Sequence, residues 1–217
     1  MMPPVPAGTP AAATLVVPVR IQRGVAASES EWARLFHDTF GAKLTFWPVL
    51  PRDRARAKAL VAACVARDSV YVAVDADDQV VGVALAGARL LRPDRAALRA
   101  AYGPVGGACR LAALRLLAAA PDKRGVVHLD GFTVAPKVRG GGIGSAMLER
   151  VIADARSQGV RAIELVVGDL SPARRLYHRF GFRDTGSTPT GPFRRRIGYA
   201  HLTRMRLDIA QSGEEIT

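Results

Sequence analysis

Apolar and polar positions recur with different periods along the chain, and the changes of period divide it into elements. From Thr14 to Gln22 the run TLVVPVRIQ is rich in β-branched residues, which predicts a first strand. Ser28 stands three residues before Glu31, the spacing of a capping box, and Trp32, Leu35, Phe36 and Phe40 follow at helical spacing. A second helix is expected from Arg52 to Ala66, opened after Pro51, with Ala59, Leu60, Ala63 and Cys64 on one stripe. Two β-rich runs between Ser69 and Leu90 flank the polar turn Asp75-Ala76-Asp77-Asp78, the pattern of a hairpin. Between Arg92 and Arg124 the period is helical again. Pro93 opens one segment, Gly103-Pro104 interrupts, and Leu111, Leu114, Leu117 and Ala118 mark a second, which together read as a helical insertion.

The carboxy-terminal half predicts a strand over Gly125–Ala135, a helix over Ile143–Ser157, a strand over Ala162–Val167 and a short helix over Pro172–Phe180. A Gly/Pro/Thr loop then leads to a last strand around Tyr199 to Leu207. This succession implies an α/β or α+β fold built on one mixed sheet flanked by helices. No stretch repeats another, so repeat architectures are excluded. The expected organisation is one domain over residues 14–210. A tail over residues 1–13, without charge or periodicity, precedes it, and a short tail over residues 211–217 follows.

Composition narrows the class. Among 217 residues, 49% are apolar, enough for one sizeable core. The net charge of +12 favours an anionic partner: nucleic acid, a membrane surface or a polyanionic cofactor. Charge alone does not choose, and a GC-rich genome would give the same arginine excess. Nucleic acid ranks last, because aromatics are few, basic residues are dispersed and no helix-turn-helix or single-strand-binding motif is present. The longest apolar segment, Leu111 to Ala120, is broken by Arg115 and too short for a bilayer, and the first arginine, Arg20, follows the apolar stretch where a secretory signal would have it precede. A soluble, cytoplasmic protein with no membrane partner is expected. Cys64 and Cys109 sit in helical apolar patterns with no metal-ligand spacing, so no metal site is assigned and both read as small core residues.

The candidate chemistry lies in LDGFTVAPKVRGGGIGSAMLERVIADA, where an arginine and several glycines separate a strand from a strongly amphipathic helix. Ile143, Met147, Leu148, Val151, Ile152 and Ala155 form that helix's stripe, so the glycines sit at its N-terminus. There they allow close backbone approach, while free amides and the helix dipole favour phosphate. A nucleoside-triphosphate loop would end Gly-Lys-Ser/Thr, and this one ends Gly142-Ile143-Gly144-Ser145 without a lysine. A dinucleotide fingerprint starting at Gly142 would meet Met147 where a small residue belongs, although a register from Gly140 stays open on the glycines alone.

The pattern Arg139-x-x-Gly142-x-Gly144 resembles the coenzyme A pyrophosphate loop of the GNAT superfamily of N-acetyltransferases. Val134-Ala135-Pro136 upstream is similar to that family's V-x-P strand exit. Downstream, Ala173, Leu176, Tyr177, Gly181 and Phe182 resemble its A-x-x-L-Y-x-x-x-G-F segment, on a helix expected to start at Ser171 and Pro172. The likeness spans Gly125 to Phe182, matches the earlier region only in the order of elements, and does not include the helical insertion. One departure is Leu170, where the family often has an asparagine, with Asp169 or Ser171 as possible replacements.

The resemblance implies a mostly antiparallel central sheet and an acetyltransferase that moves an acetyl group from acetyl-CoA directly to an amine-bearing acceptor. A non-catalytic acyl-CoA-binding regulatory module is the alternative. It further implies that Phe132, Thr133 and Val134 bind the thioester arm, with a backbone amide there polarising its carbonyl. Arg139, Gly140, Gly141, Gly142, Ile143, Gly144 and Ser145 would bind the pyrophosphate. Tyr177 would protonate the leaving thiolate, and His128 or Asp130, alternating onto one strand face, would take the amine proton. Tyr177 also fits a purely packing role on the apolar stripe, and His128 and Asp130 fit ordinary strand and turn roles. Arg174 and Arg175 read as either phosphate contacts or a solvated helix face, and Arg194, Arg195 and Arg196 as either an acceptor-site rim or a solubilising loop. An exposed final strand would allow a homodimer.

Overall fold

The computed structural model describes residues 18–24, 29–44, 51–88, 92–118 and 125–209. Both expected tails, residues 14–17 of the first strand, Ser28 of the capping box and the end of the insertion lie outside the described residues. A seven-stranded sheet forms the centre. Its strands are β1 (Arg20–Arg23), β2 (Val70–Val74), β3 (Val80–Gly87), β4 (Val126–Val134), β5 (Ala162–Gly168), β6 (Arg183–Pro189) and β7 (His201–Asp208). They lie in the order β1-β2-β3-β4-β5-β7-β6, and only β4 and β5 are parallel. The expected mixed, mostly antiparallel sheet is therefore present.

Helices cover it on two sides. α1 (Glu29–Leu44), α2 (Arg54–Cys64) and α3 (Arg95–Ala118) bury Trp32, Phe36, Leu60, Leu98 and Leu111 against Val72, Val83 and Leu85. On the other face α4 (Ile143–Ser157) and α5 (Ala173–Arg179) bury Met147, Leu148, Val151 and Tyr177 against Ala84, Leu129, Ile163 and Met205. β2 and β3 thus feed both cores through alternate residues. The final helical turn is α6 (Arg194–Ile197), between β6 and β7. Among the described residues no helix is long and apolar enough to cross a membrane.

Local chemistry explains most boundaries. The Asp53 carboxylate accepts the Arg56 amide at 2.8 Å and starts α2, and Asp75 accepts the amides of Asp77 and Gln79 to close the β2–β3 turn. The expected interruption of the insertion is real: Gly103, at φ 74° and ψ 177°, kinks α3 before Pro104. Gly107 then lets the second half fold back, since a Cβ there would stand 2.9 Å from the Arg99 backbone.

Three expectations are corrected. Residues 183–189, read as loop, are β6, a strand exposed along its whole length that carries no apolar alternation and is held by its backbone ladder to β7. The last strand, β7, is consequently interior, paired with β5 on one side and β6 on the other, so it presents no free edge. Cys64 is buried, but Cys109 is exposed, because it stands two positions from Leu111 and so about 200° around the helix from the buried stripe.

The register between β3 and β4 carries the feature that shapes the site. Val83 pairs with Thr133 and Leu85 with Asp130, so β4 has one extra residue in this stretch. Gly131 supplies it, at φ 58°, and a Cβ there would lie 2.3 Å from the Phe36 ring. We expect Gly131→Ala to destabilise the fold by about 1–3 kcal/mol, from left-handed backbone strain plus this clash. Combination with Phe36→Leu should return part of the loss. Urea melts of the four proteins give the coupling, and strict additivity would mean that the ring is not what the glycine accommodates.

Candidate active site

β4 and β5 run parallel and hydrogen-bonded only from Val126 and Ala162 to Leu129 and Leu165. Beyond that point β4 follows β3 and β5 follows β7, so the two strands part at their carboxyl ends. Such a parting leaves backbone groups of β4 from Asp130 onward open along a wedge in the sheet, the position at which open α/β sheets take ligands.

The bulge sets which side chains face which way. Val127 and Leu129 pack toward α4, whereas His128 and Asp130 lie on the opposite face. The extra residue reverses the phase, so Phe132 and Val134 pack with the α4 cluster while Thr133 is buried toward α1, its hydroxyl 3.2 Å from that of Thr39. Asp130 is open to solvent at its surface yet closely surrounded by protein. Desolvation raises its carboxyl above the usual carboxylate range, and the charge of His128 opposes that rise.

The glycine loop follows directly. Arg139 donates from Nε to the Val134 carbonyl at 2.9 Å and folds the chain back toward the strand. Gly140 and Gly142 take φ of 86° and 79°, and Gly142 is the N-cap of α4, with no side chain capping it. Among the described residues, the amides of Gly140 through Ser145 donate to no backbone carbonyl. A 15-residue helix thus begins with a run of open donors. Ile143 and Ser145 are buried beneath them.

α5 closes the wedge from the α4 side. It begins at Ala173 with Pro172 as N-cap and no side-chain cap, one residue later than expected, so Ser171 caps nothing here. Leu176 lies 3.4 Å from where a Cβ on Gly144 would stand, with Phe132 and Val134 just behind. Tyr177 is 5% exposed and packs edge-on against Phe132, with ring centroids 6.0 Å apart. Burial, and then the charge of Asp130, push its phenol far above the ordinary range. The hydroxyl therefore remains protonated through the neutral range, and it shares an electrostatic environment with Asp130.

Phe132, Val134, Gly144, Leu176 and Tyr177 thus lie together on the α4 side of the wedge, with Asp130 near enough to Tyr177 to act on its phenol, whereas His128 stands in the paired part of β4 on the opposite face. The outlying arginines do not gather there: Arg174 is paired with Asp184, and Arg194 and Arg195 are exposed beyond β6. Nor is Asp169 a ready substitute for the missing asparagine, since its carboxylate accepts the amides of Leu170 and His201. The sequence reading missed the bulge, although a lone glycine inside a strand pattern signals one. It also missed Glu164, a buried carboxylate in register with His128 that accepts Arg206 at 2.8 Å. Nor did it include Tyr199, whose ring overlies Gly168 so closely that a Cβ there would meet it at 2.2 Å. A cavity of about 1120 Å³ lies elsewhere, along α2 residues such as Ala59 and Ala62 and beside Arg92.

A family model for the acetyltransferase (GNAT) family matches residues 31–182, a span that includes β2 to β5, the glycine loop and the Tyr177 helix. The chain belongs to the GNAT acetyltransferase family. It is therefore an acetyltransferase enzyme, of a family that generally draws its acyl group from acetyl-CoA. Solved structures share the fold. A GCN5-related N-acetyltransferase from Kribbella flavida is 22% identical, with a TM-score of 0.55 over 88% of this chain and 97% of that one. Ard1 from Thermoplasma volcanium is 18% identical, with a TM-score of 0.55 over 89% and 99%. The ribosomal-protein-S18-alanine N-acetyltransferase from Escherichia coli is 15% identical, with a TM-score of 0.52 over 92% and 99%.

The raised carboxyl of Asp130 gives a pH test. A carboxyl whose folded pKa lies above its unfolded value of about 3.9 contributes stability that is present below the unfolded pKa and is lost as pH rises through the folded one. Asp130→Asn should therefore be more stable than wild type at pH 7.5, with the advantage shrinking toward pH 4.5. Denaturant melts across that range check it. An advantage that is constant with pH would mean that the carboxyl is not desolvated by folding.

Proposed function

We propose that this acetyltransferase moves the acetyl group of acetyl-CoA directly to an amine within a ternary complex, at the wedge between β4 and β5. The observation that carries the reading is the convergence at that wedge of a helix N-terminus with open amides, an unpaired strand edge and a buried, protonated tyrosine. The residues fit coenzyme A. Amides of Gly140 to Ser145, with the free end of Arg139, suit a pyrophosphate, and the left-handed Gly142 and side-chain-free Gly144 let a phosphate approach the backbone. The open edge of Phe132, Thr133 and Val134 suits the amide groups of the pantetheine arm, and an amide there would stabilise charge developing on the thioester oxygen.

In this reading the Tyr177 hydroxyl gives its proton to the departing thiolate. His128 or Asp130, on the face turned toward α1, accepts the proton of the attacking amine. The raised carboxyl of Asp130 makes it a better base than an ordinary aspartate. The alternative, a non-catalytic acyl-CoA sensor, has less support, because it leaves unexplained why Asp130 and the buried phenol of Tyr177 lie within electrostatic reach of each other beside the loop.

Acetyl-CoA should raise the melting temperature by several degrees at saturation, and Gly142→Val or Gly144→Val should abolish that shift while the unliganded protein still folds. Absence of any shift with wild type would remove the cofactor reading. Tyr177→Phe keeps the ring and its packing. We expect kcat to fall about a hundredfold or more, with acetyl-CoA affinity and stability near wild type, measured as free-thiol release over a panel of amines. An unchanged kcat would reduce Tyr177 to a packing residue. His128→Ala and Asp130→Asn, compared across pH, identify the base by which one removes the acidic limb of the profile.

A further inference from the structure

We propose that Arg204 is the anion anchor of the acceptor site, and that the acceptor is a small amine carrying a carboxylate, of the size of a free amino acid. The inference deepens the reading of the wedge as an acetyl-transfer site and rests on it.

The rungs of the sheet carry it. The β4–β5 ladder ends at Leu129 and Leu165, and one residue further along each strand stand Asp130 and Val166. Val166 is in register with Arg204 of β7. Leu129, Leu165 and Met205 pack into the α4 core, so Asp130, Val166 and Arg204 form a row on the opposite face, across the mouth of the wedge. That face is bare here. The apolar core under α1, α2 and α3 takes its strand residues from β2 and β3, and Val166, although on a central strand, is 53% exposed. Beyond Arg204 the row ends at Gly186 of β6, where a Cβ would meet nothing within 4 Å. Tyr199 closes one side, its ring lying over Gly168, two residues beyond Val166 on the same face.

Charge then selects the ligand. Arg206, the next residue of β7 on this face, is neutralised by Glu164 and Asp208. Arg204 is exposed, and among the described residues it has no carboxylate partner. The row thus sets a carboxyl on one bank of the wedge, a guanidinium on the other and an apolar floor between them. β4 and β7 lie two strand spacings apart, about 10 Å before the parting is added, which is the breadth of a short amino acid hydrogen-bonded at both ends. With the amine at Asp130, the acceptor's carboxylate meets the guanidinium, whose planar fork takes it through two charge-assisted hydrogen bonds. A polyamine would instead press a second cation against Arg204. In the transfer the amine nitrogen bonds to the acetyl carbon as the C–S bond breaks, and the coenzyme leaves as a thiol. The carboxylate stays outside that chemistry, so Arg204 binds and orients.

Free-thiol release from acetyl-CoA by the full chain tests this, over amino acids each paired with its carboxamide and over polyamines. Wild type should show a kcat/KM about tenfold or more higher for the carboxylate than for its carboxamide. Arg204→Ala should remove that ratio by raising KM for the carboxylate alone, with kcat and the carboxamide rate near wild type, and Arg204→Lys should keep part of it. Arg183 is exposed on the same face, in register with Arg206 and one rung further from the mouth. Arg183→Ala, an equal loss of charge, should leave the ratio unchanged, which separates a local contact from the field of the whole molecule. Carboxamides or polyamines acetylated as well as the carboxylates would overturn the proposal, and so would a ratio that survives Arg204→Ala. Should Arg204→Ala fold poorly, Arg204→Gln keeps much of the side chain's bulk without its charge and must still lose the ratio. If acetyl-CoA raises the melting temperature but no carboxylate-bearing amine is acetylated, the proposal falls while the cofactor reading stands. If acetyl-CoA gives no shift, the underlying reading itself falls.

Discussion

The parting of β4 from β5 is the constraint on which the rest of the structure depends. Two parallel strands at the centre of a sheet would ordinarily satisfy each other's backbone along their full length. Here the ladder stops at Leu129 and Leu165, and β4 is drawn along β3 by a bulge that only a glycine beside Phe36 can make. The fold thus leaves polar backbone unsatisfied at its centre, and everything that faces the gap is placed by it. Phe132 and Thr133 change faces at the bulge, α4 starts where β4 ends, and α5 follows β5 to bring Tyr177 underneath. The Phe36 ring of α1, remote in sequence from the loop, lies against the bulge.

Much of this was legible in the chain, for physical reasons that differ from element to element. The helix over Ile143–Ser157 has a strong apolar stripe and a glycine stop at its start, and its bounds agree with the pattern. The kink in the insertion was visible because Gly103-Pro104 breaks a helix wherever it occurs. β6 was not visible. Its residues are exposed on both faces, so the ladder to β7 specifies it and side-chain periodicity does not. Cys109 misled because an apolar neighbourhood in sequence does not fix which side of a helix is inward.

The candidate site shows the same division. Local signals made the loop a candidate, because its glycines and the helix that follows suit an anion. They made Tyr177 a candidate through its helix. What they could not supply was neighbourhood: that Asp130 and Tyr177 share an electrostatic environment, that Glu164 lies in register with His128 beneath Arg206, and that Tyr199 returns from a distant hairpin to cover Gly168. Each of these joins segments that sequence order keeps apart. Charge was equally uninformative until position was known, since the large arginine excess divides into side chains neutralised by carboxylates and others that are not.

The place of β6 at the rim of the sheet has a consequence for how the molecule behaves in concentrated solution. A bare strand edge is a template for another chain, and β6 is poorly suited to be one: Arg183 and Asp184 put charge at one end, and Pro189 at the other has no N–H to donate. Behind it, β7 alternates Thr203, Met205 and Leu207 toward the core, a sequence far more receptive to a foreign strand. β6 therefore acts as a guard rail, hydrophilic enough to remain unpaired and firmly enough laddered to keep the sticky strand out of reach. Fraying of this short segment would expose an aggregation-competent edge and free Arg174 of α5 from Asp184. The polar strand that escaped detection in the sequence is thus one on which the solubility of the fold depends.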